Sequence, residues 1–465
     1  MTATRNRQSV CLMVVAVVAY ANAFSGTFQY DDFSTILENP HLNSWRTFIG
    51  HLDHMVRPVL YATFLADRTI FGTSPTGYHL LNLLLHLGSG ILVYLVLTRA
   101  VSEETREVPF WTALLFLVHP LQTETVTYIS GRASGLMTLF YLLALALYIE
   151  GAARQRDGLS HGRYVSGALL SFVLALGSKE TAATLPLALL LWDALIRRLD
   201  PAALRKTFLS THLPFWFVLL VVAAWAWWHP RYSELAQYSL EMRPLWDNLV
   251  SELHAVIYAL LLFVCPWNQN FDHDLPALHS LFQWPLPVDL LILGAVVGVA
   301  LTAYRRFPLV TFGVGWFFLQ LLPTSLIPRV DLLSERNLYL PSIGILLAFV
   351  LLCSQLAGWL SETLHRPRLV RVGAVGLGLT LVLVLSFTTI ERNALYRDPV
   401  LLWSDAVEKA PKKARPHNNL GHAYAMRGDW ENAIDKFRTA ARLDPDYALA
   451  QKNLRDAYLH SVGRQ

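Results

Sequence analysis

The chain has 465 residues, of which 54% are hydrophobic and only 15% charged, with a formal net charge of +4. Soluble domains carry about 25% charged residues, so this composition excludes a water-soluble enzyme, a disordered chain and a nucleic-acid binder. A hydrocarbon core about 30 Å thick takes roughly 20 apolar residues per helical span, and the expectation is a polytopic membrane protein.

In chain order, apolar stretches fall at about 10–24, 78–97, 109–118, 135–149, 164–177, 182–196, 211–228, 249–264, 287–304, 308–322, 338–358 and 371–390. The first follows Arg5 and Arg7 as in a signal peptide. However, Ala-Asn-Ala before Phe24 is a poor cleavage site and an acidic motif follows at once, so it reads as a retained first helix. With the N-terminus cytoplasmic and every stretch but 249–264 crossing, eleven spans result. The predicted inner loops then hold 16 Arg and Lys residues, against 9 in the longer outer loops, which is the positive-inside bias. Letting 249–264, with Glu252 and His254, cross would move Arg305 and Arg306 outside. It is placed as an interfacial or re-entrant helix on the outer side, where Trp225, Trp227, Trp228, Trp267 and Trp284 form an aromatic belt.

From 391 the composition turns polar and helix-forming, dividing a membrane domain (1–390, with a first outer loop at about 25–77) from a soluble domain (391–465). Residues 414–447 place Leu420-Gly421, Tyr424, Ala433, Phe437, Ala440 and Pro445 at the spacing of a 34-residue tetratricopeptide repeat (TPR). A step back by 34 meets Trp403, Ala406 and Pro411; a step forward meets Leu454 and Tyr458. One full repeat, half a repeat before it and a capping helix after it are expected.

Polar residues at membrane depth carry the information in such a chain. Five clusters fall on the predicted outer side: Tyr30-Asp31-Asp32, Arg57-Pro58, the run from His119 through Glu124 to Gly131-Arg132, Ser178-Lys179-Glu180, and Ser334-Glu335-Arg336-Asn337 with Tyr339. Adjacent carboxylates point different ways, so one of Asp31 and Asp32 suits a general base and the other orients a ligand, a metal or an arginine. Arg132, Lys179 and Arg336 demand anionic partners, which are either a phosphate or the glutamates Glu124, Glu180 and Glu335. His79, Asn82 and His86 share one helix face and read as inter-helix hydrogen bonders. Gly294, Gly298, Gly373, Gly376 and Gly378 read as packing glycines. Cys11, Cys265 and Cys353 are too far apart for a metal site or a disulfide framework. No Walker loop, Gly-x-Ser-x-Gly or Cys-x-x-Cys occurs.

With Tyr-Asp-Asp, Arg-Pro, His-Pro-x-x-x-Glu, Gly-Arg-Ala, Lys-Glu, Glu-Arg-x-Leu-Tyr-Leu-Pro-Ser and a C-terminal TPR in this order, the chain resembles the transmembrane-and-TPR protein O-mannosyltransferases and their bacterial relatives. The resemblance implies an all-α polytopic bundle of the GT-C glycosyltransferase type and an inverting transfer of a sugar, mannose in that family, from a polyprenyl-phosphate carrier to a hydroxyl acceptor such as protein Ser/Thr. It implies Asp31 as catalytic base beside Asp32. Arg132 and Arg336 would face the donor phosphate, with Lys179, His119, Glu124, Glu335 and Arg57 as further substrate-site residues. Neither metal nor cofactor is expected, although paired carboxylates also suit a divalent cation. The expected partners are the lipid-linked sugar, membrane lipid and a protein met through the TPR. The expected place is a bacterial inner membrane with the TPR in the periplasm, or the endoplasmic reticulum membrane in a eukaryote. The TPR here is much shorter than in eukaryotic members. The alternatives are a membrane-anchored TPR scaffold without catalysis and a lipid or saccharide transporter.

Overall fold

The structure, a computed structural model, describes residues 2–462, among which there are helices and loops but no strand. Among the described residues nine helices are long and apolar enough to cross a membrane: Thr4–Ser25, Pro75–Leu97, Ile129–Arg156, Pro201–Trp228, Leu245–Val264, Leu286–Ala303, Pro308–Leu326, Ser342–Leu364 and Pro367–Leu395. The chain is a multi-pass membrane protein.

Contacts at the two ends of the bundle trace the passes. At an arginine-rich end, Arg5 donates to Thr98 (3.1 Å), Arg99 pairs with Glu150 (2.7 Å), Arg371 lies 3.8 Å from Glu107, and Arg198 reaches the Arg305 carbonyl (3.4 Å). At the other end Asn22 donates to the Ile390 carbonyl (2.8 Å), Arg57 pairs with Glu180 (2.8 Å) and Arg336 with Glu124 (2.6 Å). Because Arg198 and Arg305 share an end, the chain between them passes an even number of times, yet three long helices intervene. One of the three is Leu245–Val264, the stretch expected to be interfacial. Near its start Asn248 donates to the Ser325 carbonyl (2.8 Å), and near its finish the Phe263 carbonyl lies 3.3 Å from His119. It is a helix of 20 residues rather than 16, long and apolar enough to cross a membrane.

Three further apolar helices are short: Val108–Val118 and Leu185–Leu195 have 11 residues each and Gly162–Leu176 has 15. The stretches expected at 109–118 and 182–196 are thus half-length helices rather than full spans. At 1.5 Å per residue, 11 residues rise only about 16 Å. Pro120 explains one of these ends, because the ring disfavours helical backbone at the preceding residue and His119 is extended (ψ 128°). The 119–131 segment thus begins inside the bundle rather than at its surface.

Val108–Val118 is the axis of the largest apolar core, with Ala113, Phe116, Leu117 and Val118 fully buried. The expected packing glycines need correction. A Cβ on Gly294, Gly298, Gly373 or Gly376 would meet nothing within 4 Å, and only Gly378 packs, against Trp111 at 2.9 Å. The tight crossing is Gly313 on Gly344, where a Cβ on either would lie 2.5 or 2.2 Å from the other's carbonyl oxygen. There the helices Pro308–Leu326 and Ser342–Leu364 approach backbone to backbone, the general use of small residues between membrane helices.

The TPR unit consists of Pro399–Lys409, Ala414–Met426, Trp430–Leu443 and Ala448–Val462. Gly421 leaves room for Phe437, as the repeat requires. The unit docks on the second end of the bundle through Arg392–Asp405 (2.7 Å), Lys413–Asp272 (2.6 Å) and Arg415, which reaches both Asp272 and Asp331.

Candidate active site

The two acids that open the first loop have different surroundings. Asp32 is fully buried; its Oδ2 accepts from the Gln29 N–H (2.8 Å) and its Oδ1 from the Ser130 N–H (2.8 Å) and hydroxyl. Burial pushes its carboxyl up to about 7 even though these hydrogen bonds pull it down. Asp31 is half-buried, and its only hydrogen bond as a donor is from its backbone N–H to the Tyr128 hydroxyl (3.1 Å). Its carboxylate forms no ion pair among the described residues and lies against the Tyr128 hydroxyl, whose pKa it helps to raise. Adjacency therefore produces one anchoring acid and one acid outside any ion pair. Tyr30 before them sits at φ 42°, a left-handed conformation that costs an L residue about 1–2 kcal/mol and persists only where the surroundings impose it.

Arg336 lies beside the same tyrosine, with its guanidinium 5.8 Å from the centre of the Tyr128 ring. It is held by Glu124, which accepts from the Arg336 side chain (2.6 Å) and its backbone N–H (2.9 Å). A pocket next to it is lined by Arg336, Asn337, Lys179, Ser134, Thr181 and Gln320. Lys179 is 5% exposed; its ammonium donates to Ser134 Oγ and Asn337 Oδ1 (both 2.7 Å) and pairs with no carboxylate among the described residues. Burial, with the nearby cations Arg329, Arg57 and Arg336, pushes its pKa well down. Arg329 is drawn into the same field and forms no ion pair among the described residues. Two of the four cations are thus compensated by Glu180 and Glu124, and two are not. The field around the pocket is therefore net positive.

Other expected site residues are placed differently. Arg132 does not line the pocket. It is fully buried and pairs with Asp67 (2.6 Å), donates to Asn82 (2.7 Å) and the Tyr78 carbonyl (3.0 Å), and lies over the Phe64 ring at 4.7 Å. Asp67, on the helix Pro58–Phe71, is the counter-charge the sequence reading did not consider. Arg57 is taken up by a two-pronged pair with Glu180 (3.0 and 2.8 Å). Burial raises the Glu180 carboxyl, but Arg57 outweighs it and holds the group at about 2. Glu335 pairs with no arginine; it accepts from Gln269, the Asn270 N–H (2.8 Å) and His273 (3.0 Å), fixing the 269–273 loop. His119 caps the following turn, accepting from the Leu121 N–H (3.3 Å). Asn82 donates to the Val126 carbonyl (3.2 Å), and His86 bridges Tyr339 (2.7 Å) and the Leu117 carbonyl (3.0 Å), as inter-helix hydrogen bonders do. Among the described residues no group of three or more His, Cys, Asp or Glu is placed to hold a metal ion. Tyr128, Arg329 and Asp67 were missed. Their signals, an aromatic between two motifs and two charges in loop or helix, look ordinary until folded.

Residues 414–447 match the family described as Tetratricopeptide repeat. Almost the whole chain aligns with proteins named as protein O-mannosyl-transferases. These include F38B6.6 of Caenorhabditis elegans (26% identical, covering 95% of this chain and 63% of that protein) and human TMTC1 (27%, covering 94% and 55%). Mouse TMTC4 is 28% identical, covering 91% of this chain and 65% of that protein. The chain is a relative of the protein O-mannosyl-transferases. It spans between about half and two thirds of the length of these relatives. No solved structure matches.

Proposed function

We propose that this chain is an integral-membrane glycosyltransferase that moves a sugar, mannose by kinship, from a polyprenyl-phosphate carrier to a Ser or Thr hydroxyl of a protein on the non-cytoplasmic side. The observation that carries the reading is that a carboxylate outside any ion pair and an arginine beside a cation-lined pocket meet at one tyrosine, Tyr128. The relatives' printed names support the transfer, and the arginine-rich end supports the orientation.

The lipid tail lies between helices, with its phosphate at Arg336, Lys179 and Asn337. The acceptor oxygen attacks the sugar's anomeric carbon as its proton passes to Asp31; the bond from that carbon to the phosphate oxygen breaks, and the electron pair stays on the phosphate. A placed general base contributes about 10²–10⁴ in rate. The leaving phosphate gains one negative charge over the donor, and the two uncompensated cations are there before that charge develops, which stabilises the transition state more than the ground state. Asp32 does not touch substrate: it fixes the backbone from which Asp31 projects. Arg132, Arg57 and Glu335 position elements of the site.

The test is Asp31→Asn in membranes, with folding checked by melting temperature. Transfer from a short-chain polyprenyl-phosphate mannose to a Ser/Thr-rich peptide is expected to fall by about 10²–10⁴; wild-type rates in that variant would remove Asp31 as the base.

A further inference from the structure

The segment that carries Asp31 is mounted from two directions. From the membrane domain it is held by the Tyr128 hydroxyl and by Ser130. The other mount comes from the TPR unit and its junction. The Tyr396 carbonyl, just before the helix Pro399–Lys409, accepts from the Thr27 N–H (3.0 Å) and the Gln29 side chain (3.0 Å). On that helix the Trp403 ring meets Tyr30 edge-on at 5.4 Å. Phe271 lies between them, 5.2 Å from Trp403, 6.3 Å from Tyr30 and 5.2 Å from Tyr128. Tyr30 is the residue in left-handed backbone, so the conformation that sets the direction of the next residue is the one these rings enclose.

We infer that the first TPR helix is a positioning element of the active site: through Trp403 and Phe271 it fixes the Tyr30–Asp31 backbone, so that transfer depends on the TPR unit even apart from acceptor binding. This rests on Asp31 acting as the base. A TPR that only captured acceptors would have no need to touch the loop that bears the acid. One that only rested on the bundle could use its ion pairs at Asp272 and Asp331 alone. The loop Gln269–His273 ties both functions together, because Glu335 holds it from below while Lys409 and Lys413 donate to its carbonyls at Gln269 (2.8 Å) and His273 (2.6 Å).

The experiment is Trp403→Leu in the full-length chain, beside Trp403→Phe. For Trp403→Leu, kcat is expected to fall about tenfold to a hundredfold, since small misplacements of reacting groups cost that much. KM for the peptide should stay within about twofold, and Trp403→Phe should restore most of kcat. Amide hydrogen exchange over residues 27–33 should become several-fold faster while the other spans stay protected. Wild-type kcat with unchanged exchange, or a rise in peptide KM alone, would overturn the inference. If Trp403→Leu fails to fold, Tyr30→Leu removes the same contact from a side chain that is 41% exposed, and is read in the same way. The exchange comparison needs no substrate, so it judges the mount even if an active Asp31→Asn variant removes the reading on which the inference rests.

Discussion

The Asp31 N–H donates to the Tyr128 hydroxyl at 3.1 Å, and the Arg336 guanidinium lies 5.8 Å from the same ring. One phenol thus sets the separation between the proposed base and the proposed phosphate clamp. Tyr128→Phe removes the hydrogen bond and keeps the ring. It is expected to lower kcat about tenfold with little change in melting temperature, since one neutral hydrogen bond is worth about 1 kcal/mol. Steady-state kinetics at saturating donor provide the check, and an unchanged kcat would separate Asp31 from this anchor.

Lys179 is the cation with the least reason to be where it is unless an anion joins it. Lys179→Met keeps the length of the side chain and removes its charge. It should lower kcat/KM for the lipid donor by about 10²–10³, the usual loss for one preorganised donor to a developing negative charge. Arg329→Gln should act in the same direction and more weakly, because Arg329 does not line the pocket. Initial rates against donor concentration distinguish the two; equal and negligible effects would move the phosphate elsewhere.

Arg132 and Asp67 make the opposite forecast. Both are buried, at 0% and 5% side-chain exposure, so Arg132→Met strands a carboxylate inside the protein. Breaking a buried pair from one side costs about 3–5 kcal/mol, and the fall should appear in melting temperature. The double variant Arg132→Met with Asp67→Leu should recover much of it. A selective rise in donor KM with unchanged stability would put Arg132 back at the substrate.

Asp32 gives stability a pH dependence. Its folded-state pKa of about 7 lies above the ordinary 3.8, so the folded protein binds the proton more tightly than the unfolded chain. This contribution is fully present below about pH 4 and is lost as pH rises through about 7. The melting temperature of the wild type is expected to fall between about pH 4 and 7 relative to Asp32→Asn, which has no such proton to lose. Parallel curves for the two proteins would show that Asp32 is ionised throughout.

Much of this architecture was written in local chemistry. Apolar stretches, arginines at alternate loops and a 34-residue repeat are signals that neighbours along the chain create, so they survived folding unchanged. The reading of 249–264 as interfacial rests on Arg305 and Arg306 alone, because moving charge to the wrong side of a membrane is costly wherever the rest of the chain lies. The clustering of Asp31, Lys179 and Arg336 at one end was legible for the same reason.

What the sequence could not decide was partnership. Arg132 and Arg336 carry the same group at the ends of similar motifs, yet one meets Asp67 away from the pocket and the other meets Glu124 at its lining. Asp31 and Asp32 are neighbours, yet only the second turns into the donors at Gln29 and Ser130. The two close-packed glycines, Gly313 and Gly344, lay in no motif at all. An ion pair, a hydrogen bond or a helix crossing needs two surfaces, and the second surface comes from residues tens or hundreds of positions away. Composition and order determined that this chain crosses a membrane and gathers its polar groups at one end; only packing decided which of those groups remain without a partner and so able to receive a substrate.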